Sequence, residues 1–193
     1  MELNYHNMKR LQDTIAESLL DLDDKIMDRG LIEAWIKDNT DCRGLKLNDD
    51  LSIDATNISV VLNGPIPDYI KFNKIGWLCY SIYVDIEEVW LKAPKTTRRF
   101  QVNAHGDVGT INFTDNFDCL NFTINGSVET INLPKRFKCD EFLCSDSTTS
   151  YINGIKGLKA RDVQLSANFI KNLLLETLKF PKDSNIKVYG RTL

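Results

Sequence analysis

The chain has 193 residues, 42% hydrophobic and 26% charged, with a formal net charge of −3. Such a chain can bury a sizeable core, and its composition excludes a long disordered or low-complexity protein. No apolar run in MELNYHNMKR suits a signal peptide, no segment approaches the ~18 apolar residues of a membrane span, and five cysteines, an odd number, suit reduced thiols; a cytosolic location is expected.

From Asn7 to Arg29, Leu11, Ile15, Leu19, Leu22 and Ile26 recur at helical spacing, predicting an amphipathic helix that Gly30 stops. A second short helix is expected to turn Leu31, Ile32, Trp35 and Ile36 inward and to break at Asn39-Thr40-Asp41. Leu45-Lys46-Leu47 and Leu51-Ser52-Ile53, on either side of Asn48-Asp49-Asp50, read as a small hairpin. Ile58, Val60 and Leu62 then alternate inward, and Pro65-Ile66-Pro67 favours an extended return path.

The remaining chain repeats. With Phe100–Cys119 set above Leu120–Cys139, Val102 falls on Phe122, Ala104 on Ile124, Val108 on Val128, Ile111 on Ile131, Phe117 on Phe137 and Cys119 on Cys139, all 20 residues apart. A fixed period of this size indicates a solenoid, in which one coil covers the apolar side of the next. Ile82/Val84, Phe142/Cys144, Val163/Leu165 and Ile186/Val188 fit the same frame, with Asn63, Glu87, Asp107, Ser127, Ser147 and Asn168 at a ladder position three residues beyond each core pair. Thr110–Phe113, Thr130–Leu133 and Asn172–Leu175 also read as strands. Either line can form the main sheet; regular alternation favours the Val102/Phe122 line, with the other forming short strands or extended segments behind it.

The coil Ala160–Leu173 follows the pattern LxxLxLxxNxIxxL, with Ala160 and Val163 standing for two leucines before Leu165, Asn168, Ile170 and Leu173. In these residues the chain resembles the leucine-rich repeat family. Cys119, Cys139 and the Ile131-Asn-Leu-Pro134 run are similar to its short bacterial and viral variants. The resemblance spans about Ile58 to Val188. It implies an α+β fold, a leucine-rich-repeat-like solenoid with one main parallel β-sheet and an N-terminal α-helical cap. Residues 1–57 would form the cap and hairpin, and residues 58–193 the solenoid.

No phosphate loop, dinucleotide fingerprint, HExxH or paired CxxC is present, and no cofactor or metal is expected. His105, beside Asp107 and facing Asp85 on the neighbouring coil, is the one place where an enzyme would have its site; a solvent-facing turn histidine explains it more simply. Trp35, Trp77 and Trp90 follow no period and are read as packing where the cap meets the first coils. Cys119 and Cys139 are expected to stack as buried free thiols.

The resemblance implies a binding surface on the outward residues of the sheet. Alternation assigns to it Tyr83, Gln101, Asn103, His105, Asn121, Thr123, Asn125, Leu143 and Gln164, flanked by Ser81, Asp85, Glu141, Ser145, Asp162 and Ser166. This mostly uncharged surface suits a protein partner better than a phosphate backbone. A rival surface lies in the basic end, where Gly154–Leu193 holds 8 Lys/Arg against 3 Asp/Glu, while Met1–Asn57 holds 13 Asp/Glu against 7 Lys/Arg. Lys156, Lys159, Arg161, Lys171, Lys179, Lys182, Lys187 and Arg191 would attract nucleic acid, but without an aromatic platform a charged capping edge accounts for them. The expectation is therefore a non-enzymatic interaction protein with a protein partner and no membrane. The composition would suit a viral or phage modulator of a host protein.

Overall fold

The computed structural model describes residues 28–114, 116–144, 149–154, 158–166 and 185–189, with Ser166 and the last five described by backbone alone. Two compact units divide the chain, residues 1–38 and 39–193. In the first, residues 28–38 are helical and bury Ile32 and Ile36, an i, i+4 pair, while Leu31 is 54% exposed. Trp35 is half-buried. The stop expected at Gly30 does not occur, since the helix passes through it and ends at Asn39. A helical glycine costs only about 1 kcal/mol against alanine, less than burying the Ile32/Ile36 face returns. The preceding apolar stripe, Leu11 to Ile26, lies outside the described residues. Among the described residues no helix is long and apolar enough to cross a membrane.

The second unit is a parallel-strand β-solenoid. Its strands are β1 (Thr40–Arg43), β2 (Lys46–Leu47), β3 (Ile53–Leu62), β4 (Phe72–Ile82), β5 (Ile86–Leu91), β6 (Thr96–Phe113), β7 (Asp118–Asn132), β8 (Lys138–Cys144), β9 (Tyr151–Asn153), β10 (Asp162–Ser166) and β11 (Asn185–Tyr189). Along the main sheet the order is β1-β3-β4-β6-β7-β8-β10-β11. Among the described strands only β1 and β2 pair antiparallel, both with β3, so the described ladder begins with a folded-back hairpin. In that hairpin Ser52 gives its amide and its hydroxyl to the Asp50 carboxylate, at 3.1 and 2.6 Å, which holds the Asp50 carboxyl below its usual range.

Both repeat lines are strands where they are described; Asn172–Leu175 lies outside the described residues. β5, the second halves of β6 and β7, and β9 stack in parallel as a second face, because β6 and β7 are long enough to bend from one face to the other. The bend in β6 is a register shift between Ala104 and Val108. In β7 it falls at Gly126, whose φ of +94° belongs to glycine and where an added Cβ would lie 1.8 Å from the Ala104 carbonyl oxygen.

These corners correct the constant period. Between Ile82 and Ile86, and between Ala104 and Val108, three residues turn the corner; between Gly126 and Val128, Ser127 alone does so. The register therefore places Phe100, not Val102, beside Phe122, and Val102 beside Ile124, an offset of 22. After the corner the offset is 20, as at Val108/Val128 and Ile111/Ile131. In β4 the inward pair is Tyr80 and Ile82, while Val84 is a 40% exposed corner residue. A slip of two residues leaves side-chain parity intact, so the expected inward and outward sets of the other coils survive.

The core is a set of columns across the coils. Ile58, Leu78, Phe100, Phe122, Phe142 and Val163 form one, all at most 1% exposed. Its phenylalanines stack with centroids 5.6 Å and 5.2 Å apart and planes within 13° of parallel. Phe117 and Phe137, in successive turns, pack on Phe122 at 6.3 and 5.0 Å. The buried Tyr80 hydroxyl donates to the Lys92 carbonyl at 2.6 Å, so its polar end is paired.

The hydrogen-bonded amide ladder differs from the one expected. Asn153 donates to Asn132 and Asn132 to Asn112, each at 2.7 Å, and Asn112 to Glu88 at 2.6 Å, on the second face. At the expected positions, the Asp107 amide donates instead to Asp85 of the preceding coil, at 2.9 Å.

Cys119 and Cys139 pair in register, both buried and free. The hydrogen bond with Cys139, together with burial, pushes the Cys119 thiol far above the ordinary range.

Two expectations follow. Phe122→Ala should cost about 3–5 kcal/mol in chemical denaturation; a cost near zero would remove Phe122 from the core column. At pH 8, native protein treated with iodoacetamide should modify half-exposed Cys42 first and leave Cys119 unmodified until denaturant is added, as read by mass spectrometry. Rapid native labelling of Cys119 would contradict the buried thiol pair.

Candidate functional site

The outward residues of β4, β6, β7, β8 and β10 form parallel rows, each side chain beside its equivalent at a spacing of about 4.8 Å. The middle row is Cys79, Gln101, Thr123, Leu143 and Gln164. Toward the strand starts lies a row of Trp77, Arg99, Asn121, Glu141 and Asp162. Toward the corner lie Asn103 and Asn125 with Ser81, which, like Cys79, has the outward parity but is buried. All nine sequence-predicted residues occupy this face or its corner, with Tyr83 and His105 at the corner itself.

Local chain geometry explains the corner. Because the turns after β4 and within β6 have equal length, Tyr83 falls over His105, and their rings stack with centroids 4.4 Å apart and planes within 6°. Tyr83 remains 58% exposed. Beneath the pair Gly106 passes so close to Val84 that an added Cβ would meet its carbonyl at 2.6 Å. His105 is thus an element of an aromatic stack, and the Asp85 carboxylate accepts the Asp107 amide. No group of three metal-binding side chains occurs among the described residues.

The polar floor is internally bonded. Asn103 Oδ1 accepts from Gln101 at 2.8 Å and from Asn125 at 2.9 Å, while its amide donates to Cys79 Sγ at 3.4 Å. Burial pushes the Cys79 thiol above its ordinary value. Asn121 donates to Glu141, and Arg161 pairs with Asp162 at 3.3 Å. Such bonds fix rotamers, so a ligand meeting this floor orders few side chains on binding.

Missed by the sequence reading are Trp77 and Arg99, which with Arg98, Leu120 and Asn121 line a groove of about 470 Å³. Trp77 and Trp90 face outward rather than pack internally; Trp90 is 53% exposed on the second face. Aperiodic tryptophans carry no face information of their own. The alternation through Tyr83, Ser81 and Cys79, continued back two residues, reaches Trp77, and from Gln101 it reaches Arg99. Of the basic carboxy-terminal residues, Lys159 and Arg161 are exposed on the described coils, and the side chains of the other six lie outside them. Ser145 also lies outside, as does the side chain of Ser166. No protein-family model, curated protein or solved structure matches the chain.

Proposed function

We propose that this is a non-enzymatic interaction protein that binds a protein partner on the outward face of the main sheet. The observation that carries the reading is the pairing of exposed anchor residues with a pre-bonded polar floor. Trp77 and Arg99 stand at one end of the β4–β6 face and the Tyr83–His105 stack at the other, with Gln101, Asn103, Thr123 and Asn125 between. Trp, Tyr and Arg are the side chains that dominate protein interfaces energetically, and neutral amides around them exclude water without the desolvation cost of charges. The face is also bipolar, with Arg98 and Arg99 toward β6 and Glu141 and Asp162 toward β8 and β10. That pattern favours a partner of complementary charge order.

The leucine-rich-repeat likeness belongs to the same proposal. Its support is Ala160, Val163 and Leu165, buried where the repeat pattern requires leucines, while the described part of every coil is extended chain. A cytosolic location and a role as a viral or phage modulator of a host protein complete the reading, resting on composition and the odd number of cysteines.

Affinity capture from source lysate, with and without nuclease, tests it. A protein captured by wild type in both conditions should be lost with Trp77→Ala, and with the combined Asn103→Arg, Thr123→Arg and Gln164→Arg changes. Truncating a Trp anchor should weaken binding about thirtyfold, corresponding to ~2 kcal/mol. Equal capture by the folded variants, or capture abolished by nuclease, would overturn the proposal.

A further inference from the structure

The edge where coils turn back toward the main sheet gathers cations. Lys95 precedes β6, Lys135 and Arg136 occupy the turn before β8, Lys138 opens β8, and Lys159 forms a parallel bridge with Lys138. Together they line a cleft of about 460 Å³, floored by the buried rings of Phe117 and Phe137. That volume lies within the ~300–1,000 Å³ of small-molecule sites.

Local charge in the cleft is opposite to that of the whole chain. Five cations meet one described carboxylate, Asp118, and among the described residues none of the five is ion-paired. Asp115 lies outside those residues. Lys92, in the same turn as Lys95, shows the contrast: its ammonium donates to the carbonyls of Pro67 and Ile70 at 2.7 and 3.3 Å and lies 3.7 Å from Asp68. Parallel pairing sets Asp118, Lys138 and Lys159 side by side at spacings of about 4.8 Å, so one carboxylate stands in register with two ammonium groups, and like charges in direct register destabilise a sheet. The apolar floor concentrates the field of these charges.

A second cleft of about 330 Å³ shares Asn116 and Lys135 with the first and is bounded by Trp90, Asn112 and Asn132. The two are therefore adjacent, one cationic and the other carrying an exposed indole and fixed amides. We propose that this edge binds a phosphate-bearing small molecule, its phosphates among Lys95, Lys135, Arg136, Lys138 and Lys159, and any attached aromatic ring against Trp90. Arg136 supplies a planar fork for two phosphate oxygens, and the lysines supply point charges from neighbouring coils. The site is separate from the outward face of the main sheet and stands or falls independently of it.

Titration calorimetry of the full chain with inorganic tripolyphosphate and with adenosine triphosphate tests the proposal. Saturable binding that weakens with added salt is expected, and Lys138→Glu with Lys159→Glu should lower affinity at least about tenfold. The same charge change at Arg43→Glu with Lys46→Glu should leave affinity unchanged, thermal melts verifying that both variants fold. Tighter binding of the nucleotide, lost in Trp90→Ala, assigns the ring to the second cleft; equal binding assigns the phosphates alone. Absence of saturable binding to either probe at millimolar concentration, or equal loss in both charge-reversed variants, overturns the proposal. So would tighter binding of a short single-stranded oligonucleotide than of the triphosphate, with a steeper salt dependence, which would make the edge a nucleic-acid surface.

Discussion

Stacking of Phe100 on Phe122 and of Phe122 on Phe142 is the contact on which the solenoid depends. A parallel strand cannot bury its apolar side alone; each coil is stable only when its neighbour stands in register. The aromatic column supplies that constraint in the middle of the sheet, where Phe122 also meets Phe117 and Phe137 of the turns. One column thus ties the main face to the edge. A shift of one residue along β7 would turn these rings to solvent and the polar floor inward, so the register that builds the core also builds the outward rows.

Much of this was legible because alternation survives a register difference of two residues. The fixed period put Val102 beside Phe122, two residues from the observed register, yet inward residues stayed inward and all nine proposed surface residues remained on one face or its corner. The corner length was not legible. Tyr83-Val84-Asp85, His105-Gly106-Asp107 and the single Ser127 turn equivalent corners, and only the backbone of Gly126, pressed against Ala104, makes the short version possible. The Tyr83–His105 stack follows from equal corner lengths and so could not be read from the strands. Gly30 shows the opposite failure: a local stop signal lost to a helix face that continued beyond it.

The same stacking distributes chemistry between two surfaces. On the main face, neutral side chains bond across coils and present Trp77, Arg99 and Tyr83 on a rigid floor. At the turn edge, cationic side chains from neighbouring coils are brought together with no ion pair among the described residues, and their charges add. A repeat that places like residues one above another makes ladders from amides and a concentrated field from lysines, so one architecture carries two chemically different surfaces.

The most direct measurement of the register uses the natural Cys79, which lies beside Gln101. Gln101→Cys places two thiols on paired outward positions whose Cα spacing, about 4.8 Å, lies within the range a disulfide spans. Mild oxidation followed by peptide mapping should link positions 79 and 101, and Arg99→Cys should give no link to Cys79. The reverse, a link from position 99 and none from position 101, would restore the uniform repeat frame and contradict the corner lengths on which both surfaces rest.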